Sequence, residues 1–351
     1  MKSYNLYIHV PFCLSKCNYC AFFSRACKKP DWQNYERNII TELKYWAEKL
    51  GKIFISTVFF GGGTPSLMPT QTFENIIKTI KSCFNLDPDC EITLEANPGT
   101  LDKQKLKDFY NAGVNRLSIG IQSLNDEKLK FLGRVHNAEQ ALFLLNSAQK
   151  LGLRVSADFI YGLPNETACD VIKICKDINS LGLSHCSMYE LTIEQGTPFG
   201  KANLQMPSND EMAEMYKAIS ETLDLPRYEV SNYAKPGEEC KHNQNVWDGE
   251  SYIGIGNGAA GRILINDVWY EQMGNQQKFE KISNETRALE RLITGMRQVR
   301  GIKLDSDIKK IINFDFINKS PTLLKINSEN RLATTEKGML ILDDLLLNLT
   351  R

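Results

Sequence analysis

Apolar runs alternate with amphipathic helical patterns from the amino terminus to about residue 225, and this alternation leaves few folds open to the chain. The apolar runs are 4–10, 53–60, 90–96, 116–122, 155–161 and 185–192. The helical segments are 32–50, 71–84, 103–112, 125–132, 138–151 and 168–181. Short strands that are apolar on both faces, each followed by a helix, predict a parallel sheet wrapped by helices. The six units are fewer than the eight of a closed barrel, so we expect an α/β fold built on a partial (β/α)6 TIM-like barrel.

The pattern changes from Pro226 onwards. The later segments are strand-like at 227–233 and 251–270, helical at 284–300 and 305–312, and mixed at 323–349. We therefore predict two domains, 1–225 and 226–351, the second being a smaller α+β domain for which a winged-helix-like shape is one form. A winged helix suggests DNA, but 42 basic residues are balanced by 42 acidic ones. Nucleic-acid binding needs a basic surplus, so a structural or substrate-covering role is favoured.

The composition also indicates a compartment. No apolar window has the length of a membrane span, and the amino terminus lacks the layout of a signal peptide. We therefore expect a cytoplasmic protein in a reducing environment. Its ten cysteines are then expected to be thiols and ligands rather than disulfides.

Three of the cysteines follow the first predicted strand within eight residues: Cys13, Cys17 and Cys20. A short loop can turn three thiolates toward one point, where they would hold a soft metal or an iron–sulfur cluster. The same residues could instead form part of a zinc site completed by His9 or Cys27, part of a disulfide framework, or small buried side chains. The spacing alone does not decide between these alternatives.

Polar residues and glycines gather at the carboxyl ends of the other predicted strands. A run of glycines (61–63) ends the second strand, Glu95 and Gln122 end the next two, and Asp158 lies near the end of the fifth. Ligand sites of such sheets form at this edge, and a carboxylate there is costly unless it meets a cation or hydrogen-bond donors. We therefore expect these residues to line one site.

The spacing Cys-x3-Cys-x2-Cys, with Tyr19 before the last cysteine, resembles the radical S-adenosylmethionine (SAM) enzymes. The approach HVPFC and the segment GGGTPS at 61–66 are similar to the anaerobic coproporphyrinogen dehydrogenase branch, which includes the HemW-type haem chaperones. The resemblance implies a [4Fe–4S] cluster held by Cys13, Cys17 and Cys20, with one iron left free for SAM. It also implies one-electron cleavage of the sulfonium to methionine and a 5′-deoxyadenosyl radical.

The same resemblance implies the residues that contact SAM. These positions are Tyr7, Tyr19, Gly62, Gly63, Thr64, Glu95, Gln122, Arg134 and Asp158. Tyr7 and His9 alternate along a strand, so both should face one side, with His9 as a hydrogen-bonding neighbour of the cluster. His136 and His185 are expected to be structural or at the surface.

A downstream segment, CKHNQNVW at 240–247, resembles the HNxxYW signature of the haem chaperones. It implies haem as cargo, with His242 as an axial ligand or pocket residue and Trp247 stacked on the porphyrin. The chain departs from that group at Val246 and Ala260, where tyrosine and histidine are expected. A capped loop histidine is the alternative for His242.

Two further functions remain alternatives at this point. The dehydrogenase of the branch carries a fourth cysteine where this chain has Phe22, which favours the chaperones over oxidative decarboxylation of coproporphyrinogen III to protoporphyrinogen IX. A zinc protein with a metabolite pocket is the second alternative. For the chaperone, the expected partners are haem and recipient haem proteins such as respiratory enzymes. SAM cleavage, a homodimer and a peripheral membrane contact are left open.

Overall fold

The computed structural model describes residues 3–276 and 278–350. Its first nine strands are β1 (Ser3–Val10), β2 (Phe12–Cys13), β3 (Arg25–Ala26), β4 (Phe54–Gly62), β5 (Asn85–Ala96), β6 (Arg116–Gln122), β7 (Arg154–Tyr161), β8 (His185–Glu190) and β9 (Asn232–Ala234). The others are β10 (Tyr252–Ile255), β11 (Ala260–Ile265), β12 (Val268–Met273), β13 (Lys278–Lys281), β14 (Ile302–Lys303), β15 (Leu324–Ile326) and β16 (Arg331–Thr334).

The helices follow the same order along the chain. They are α1 (Trp32–Leu50), α2 (Thr70–Cys83), α3 (Lys103–Asn111), α4 (Asp126–Phe131), α5 (Ala138–Lys150), α6 (Ala168–Ser180), α7 (Pro198–Lys201), α8 (Asn209–Thr222), α9 (Lys241–Trp247), α10 (Asn284–Met296), α11 (Ser306–Ile311), α12 (Phe314–Lys319), α13 (Glu336–Met339) and α14 (Leu342–Leu349). Within the described ranges, no helix is both long enough and apolar enough to cross a bilayer.

The main sheet confirms the predicted partial barrel. Its strand order is β13-β12-β11-β10-β1-β4-β5-β6-β7-β8-β9. The strands β1 and β4 to β8 are parallel, and they correspond to the six predicted units. β9 pairs antiparallel with β8 at one end, whereas β10 pairs parallel with β1 and leads into the antiparallel strands β11 to β13. The sheet thus contains strands from before and after residue 226. The proposed domain boundary at that residue stays a prediction.

Each parallel strand has one apolar and one polar buried face. In β1, Leu6 and Ile8 pack in the main apolar core, while Asn5 and His9 lie on the opposite face and are also buried. The same alternation leaves small polar side chains on the inner face of the other strands, namely Thr57, Thr93, Ser118, Ser156 and Ser187. The expectation that the strands are apolar on both faces is therefore wrong for the inner face. Its residues are buried but polar, and three of them, Ser118, Ser156 and Ser187, line a cavity.

The first helix shows how local sequence sets the element boundaries. The Asp31 carboxylate accepts a hydrogen bond from the backbone N–H of Asn34 at 3.0 Å, which caps the amino terminus of α1 as predicted. The helix then buries Ile39, Leu43 and Trp46 at intervals of three and four residues. This apolar stripe covers the outer face of the sheet beside β1.

Residues 284–350 form a second, smaller packing unit. Strands β14, β16 and β15 make an antiparallel sheet, and helices α10 to α14 surround it. Their apolar side chains form a cluster of their own that includes Leu292, Met296, Ile308 and Leu332. This part is α+β as expected, and its winged-helix-like shape stays a prediction. Helices α8, α9 and α12 are not among those expected from periodicity.

Candidate functional site

The three motif cysteines lie on a loop that closes on itself. Strand β2 pairs with β3, and the backbone N–H of Cys27 donates to the carbonyl of Cys13 at 2.8 Å. The N–H of Cys20 donates to the carbonyl of Cys17 at 3.2 Å, which makes a turn between these two residues. All the cysteines are free thiols, and those of the motif are half-buried. The loop therefore presents three thiols without a disulfide, so the disulfide alternative is not supported.

One asparagine fixes this loop over the strand ends. The Asn18 side-chain amide donates to the carbonyl of Phe131 at 2.7 Å, and its backbone N–H donates to Leu132 at 3.1 Å. The Asn18 carbonyl accepts from the N–H of Phe199 at 2.9 Å. These bonds reach segments that follow β6 and β8, so the thiols are held at the carboxyl edge of the sheet.

The loop covers a cavity of about 430 Å³, which we call the outer lobe. Its lining brings together most of the predicted site: Cys13, Cys17, Tyr19, Cys20, Gly62, Gly63, Thr64, Glu95, Gln122, Arg134 and Asp158. The expected convergence of these residues on one rim is thus present in the structure. Their roles toward a ligand stay predictions.

The glycine run packs directly against the cysteine loop. The N–H groups of Gly63 and Thr64 donate to the carbonyls of Val10 and Phe12 at 2.7 and 2.8 Å, and the N–H of Gly62 donates to Glu95 Oε2 at 3.0 Å. A Cβ atom on Gly63 would lie 2.7 Å from the Phe12 carbonyl oxygen. Because all three N–H groups are engaged within the protein, the carbonyl oxygens are what this turn can offer to a ligand.

Arg134 connects the cysteine loop to the sheet. Its Nη1 lies 3.3 Å from Cys17 Sγ and 3.4 Å from the Tyr19 hydroxyl, while Nη2 donates to Asn97 Oδ1 and to the Gly120 carbonyl, both at 2.8 Å. Its Nε is buried and has no hydrogen-bond partner in the described part of the chain. A cation beside a thiol stabilises the thiolate form that binds iron.

Gln122 has an unusual backbone conformation at the end of β6. Its φ is +68°, a left-handed value that residues with a side chain rarely adopt, and the pairing of β6 with β7 shifts register at this point. Strained backbones of this kind cluster at functional sites, because the surrounding structure must hold them in place. The strain agrees with the prediction of Gln122 as a site residue.

Two carboxyl groups line the inner side of the outer lobe. Burial raises the pKa of Glu95 to about 8, and nearby Asp158 adds to this rise while the N–H of Gly62 opposes it. Burial also raises the pKa of Asp158, against hydrogen bonds from serine hydroxyls that include Ser118 at 2.9 Å and Ser156 at 3.1 Å. In the absence of a ligand, Glu95 therefore carries a proton at neutral pH.

The cavity continues behind these carboxyl groups into an inner lobe of about 460 Å³. Glu95, Ser118, Asp158 and Tyr189 line both lobes, so the two spaces adjoin. The inner lobe is bounded by the polar faces of the parallel strands and by α9. Tyr7 lines this inner lobe and not the outer one.

His242 belongs to the inner lobe and lies on a helix, so the alternative of a loop histidine is wrong. Its Nδ1 is 2.7 Å from the Thr57 hydroxyl, and its backbone N–H donates to Glu91 Oε1 at 3.0 Å. Burial lowers the pKa of the imidazole to about 4, so the ring is neutral at physiological pH. Trp247 lines the same lobe. So do the two residues that depart from the chaperone pattern, Val246 and Ala260.

The zinc alternative finds no support in the geometry. The Nδ1 of His9 is 3.1 Å from the Tyr7 hydroxyl and its Nε2 is 2.7 Å from the Phe23 carbonyl, so neither ring nitrogen is left to bind a metal. Over residues 3–276 and 278–350, no three His, Cys, Asp or Glu side chains are arranged to hold a single metal ion. A four-iron cluster is wider than one ion, so its ligands stand further apart.

The residues present fit such a cluster. Three free thiols line one cavity, a guanidinium lies against Cys17, and the unpaired Nε of Arg134 leaves a buried donor next to them. Buried polar atoms normally have partners, so an unpaired donor here indicates a site built for a further group. Three thiolates with no fourth protein ligand leave one iron open.

Of the two alternatives stated for His136 and His185, the structural one is confirmed and the surface one is wrong. His136 and His185 are both buried, and both have hydrogen-bond partners. His136 contacts Asn97 Oδ1 at 2.9 Å, whereas His185 contacts the hydroxyls of Ser156 and Tyr228, each at 2.8 Å. His185 also lines the inner lobe, and so it is not a surface residue. The sequence offered one signal for it, its position at the start of a predicted strand.

Sequence comparisons place the chain among known proteins. It matches the model of the Radical SAM superfamily over residues 7–178. It is 38% identical over 268 residues to the protein named "Heme chaperone HemW" of Escherichia coli (strain K12), an alignment that covers 75% of this chain and 71% of that protein. It is 30% identical over 370 residues to the protein of the same name from Bacillus subtilis (strain 168), with 97% of each chain covered.

A solved structure extends the comparison to the fold. Coproporphyrinogen III oxidase (HemN) from Escherichia coli, described as a radical SAM enzyme, superposes with a TM-score of 0.81. The superposition covers 99% of this chain and 89% of that one at 19% identity, so it shows the fold alone. Membership of the superfamily implies SAM and a [4Fe–4S] cluster. From the sequence similarity along most of its length, the chain belongs to the radical SAM superfamily and, within it, to the HemW haem chaperone family.

Proposed function

We propose that this protein is a haem chaperone: it binds haem beside a [4Fe–4S] cluster with SAM, and it transfers the haem to recipient haem proteins such as respiratory enzymes. One observation carries the proposal. His242 and Trp247, which resemble the chaperone signature, line an inner lobe that adjoins the lobe of the three cysteines. The family membership supports the same function.

In the outer lobe, Cys13, Cys17 and Cys20 would hold the cluster. When bound, the cluster and SAM supply one-electron cleavage of the sulfonium. The carbonyl oxygens of the glycine turn would accept hydrogen bonds from the SAM ammonium, since the N–H groups of that turn are already engaged. Tyr19, Gln122, Arg134 and Asp158 would complete the SAM site, with Tyr7 behind them.

Glu95 would respond to SAM by losing its proton. With a pKa of about 8 it is neutral before binding, and an ammonium or sulfonium nearby favours the carboxylate. The released proton makes SAM binding depend on pH. This residue thus keeps the empty pocket free of an uncompensated buried charge.

In the inner lobe, His242 would contact haem as a neutral imidazole. The hydroxyl of Thr57 is bonded to Nδ1 and fixes the ring orientation, and Nε2 has no partner among the residues that the structure describes. A second group that orients the ring is typical of histidines that bind metals. Trp247 offers a flat apolar surface to a porphyrin.

The test is a haem titration of the anaerobically reconstituted protein, read by absorption with and without SAM. Wild type should develop a saturable haem band, and His242→Gln and Trp247→Phe should weaken it. Trp269→Phe is the matched control, because Trp269 packs against Arg287 and does not line either lobe. Equal haem binding by all four proteins would contradict the assignment of the inner lobe.

Incubation with coproporphyrinogen III separates chaperone from dehydrogenase. The position of the dehydrogenase's fourth cysteine is occupied here by Phe22, which is 68% exposed on the cysteine loop. We expect no turnover to protoporphyrinogen IX, and steady formation of that product would refute the chaperone proposal.

The proposal also concerns where the protein works. Ten free thiols fit a reducing compartment, which favours the cytoplasm. The proposal includes a homodimer and a peripheral contact with the membrane, the second of which would bring the protein close to membrane-bound recipients. Size-exclusion chromatography with and without haem, and sedimentation with anionic vesicles, test these two points.

A further inference from the structure

Arg116 is a buried cation without a direct anionic partner. It lies on the inner face of β6, is 3% exposed, and lines the inner lobe. In the described part of the chain, no carboxylate oxygen lies within ion-pair distance of its guanidinium, although Glu91, Asp158 and Glu95 are near enough to interact with its charge. A buried charge of this kind is costly unless a ligand pairs with it.

The neighbouring carboxylates are engaged elsewhere. Glu91 forms an ion pair with Arg154 at 2.9 Å and accepts the backbone N–H groups of Lys241 and His242 at 3.1 and 3.0 Å. Asp158 accepts the serine hydroxyls described above. Neither acid can turn to Arg116 without breaking these bonds. The guanidinium is therefore free to bind a ligand in the inner lobe.

The rest of the lobe fits a flat ligand that carries an anionic group. Phe59, Val246 and Trp247 give it apolar walls, and Asn243 contributes a half-buried amide that makes no side-chain hydrogen bond within the described ranges. A guanidinium matches a carboxylate through two parallel hydrogen bonds. The volume of about 460 Å³ holds a ligand of a few rings.

We propose that the inner lobe binds a ligand through its carboxylate, which pairs with Arg116, while the flat apolar body of the ligand lies against Trp247 and Phe59. For haem, the carboxylate is a propionate, and this arm of the proposal rests on the proposed function. The carboxylate could instead belong to a smaller aromatic acid. The experiment therefore has one arm for haem and one for a smaller acid.

The first arm compares haem with haem dimethyl ester, in which both propionates are blocked. Wild type should bind haem about 10- to 100-fold more tightly than the ester, as expected for a charge-assisted bond to a buried cation. Arg116→Gln should lose this preference, and Arg116→Lys should keep part of it. Arg287→Gln, which removes another buried arginine (5% exposed) that does not line the cavity, should keep it in full.

The second arm needs no haem. Binding of 2-naphthoate is compared with that of 2-naphthamide by fluorescence, in wild type and in the same three variants. Wild type should prefer the acid, and Arg116→Gln should not. Equal affinity of wild type for the acid and the amide would overturn the proposal, as would an unchanged preference in Arg116→Gln.

The two arms keep the two proposals apart. If wild type binds neither haem nor its ester but still prefers naphthoate, the haem function fails and the carboxylate site stands. If haem and its ester bind wild type equally well, haem is not the source of the carboxylate. If Arg116→Gln does not fold, as judged by thermal unfolding and the cluster spectrum, the wild-type preference and Arg116→Lys decide the outcome.

Discussion

Replacing Glu95 by glutamine should remove a loss of stability that the native protein suffers as the pH rises. The unfolded chain releases the Glu95 proton near its ordinary pKa of 4.5, whereas the folded apoprotein holds it until about pH 8. Between these values the folded state binds one more proton than the unfolded state. The contribution is fully present below pH 4.5 and is lost as the pH rises through 8.

The magnitude follows from that single proton. A difference of one bound proton lowers the free energy of unfolding by about 1.4 kcal/mol for each pH unit. From about pH 6 to pH 7.5, Glu95→Gln should therefore gain ~2 kcal/mol relative to wild type. Water in the open cavity screens the Glu95 carboxylate, so the pH range over which wild type loses stability ends at a lower pH. Within that range, the change in unfolding free energy per pH unit stays the same.

The measurement is urea denaturation of the apoprotein under reducing conditions, followed by tryptophan fluorescence at several pH values. Burial lowers the pKa of all four histidines, and they titrate alike in wild type and in Glu95→Gln, so their contribution cancels in the comparison. Glu127→Gln, at an exposed position on α4, is the control for removing one negative charge. Parallel curves for wild type and Glu95→Gln would refute the reasoning.

Three other predictions concern the cysteine loop and the first helix. Arg134→Gln removes a cation 3.3 Å from Cys17 Sγ, so the cluster potential should fall by on the order of tens of millivolts in an EPR-monitored titration. Gly63→Ala places a Cβ atom 3.0 Å from Cys13 Sγ and should lower iron and sulfide loading severalfold. Asp31→Ala removes a helix cap and should cost about 1 kcal/mol of unfolding free energy in urea.

Each of these has its own control. Gly152→Ala introduces a methyl group that meets no atom within 4 Å, at a left-handed φ of +76° that disfavours alanine. Full loading in that variant and poor loading in Gly63→Ala would identify the close packing at residue 63, and not general strain from losing a glycine, as the cause. An unchanged potential in Arg134→Gln would show that the guanidinium does not act on the cluster. Asn313→Ala removes the corresponding cap of α12 in the smaller unit, and it should also lower the free energy of unfolding. If only Asp31→Ala lowered the free energy of unfolding, helix capping would not be the general cause.

The sequence was sufficient where neighbouring residues determine the structure. The strand Arg116–Gln122 has the bounds predicted for it, and the cap at Asp31 is in place. The capping box of Ser208 and Glu211 is a local signal for α8 as well, although that helix was not predicted. In these cases the signal lies within a few residues of the element.

The contents of the inner lobe could not be predicted in this way. Arg116, Ser156 and His185 each stand among apolar residues that point to the opposite face, so the polar face of each strand is hidden in a run that reads as continuous core. The partner of β1 on one side is β10, and no pattern in the nearby sequence predicts a pairing between strands so far apart in the chain. The resemblance implied a set of SAM-binding positions, which stay predictions, but it did not indicate Arg116.

The pairing of β1 with β10 has a consequence for biosynthesis. β1 carries the cysteine loop and is bonded on one side to β4 and on the other to Tyr252–Ile255. On the ribosome, the strand that leads into the cysteine loop emerges early, yet one of its edges stays open until Tyr252 has left the exit tunnel. An open strand edge invites association with other chains. The strand that leads into the cysteine loop is therefore paired on both edges only after residues 252–255 have been synthesised.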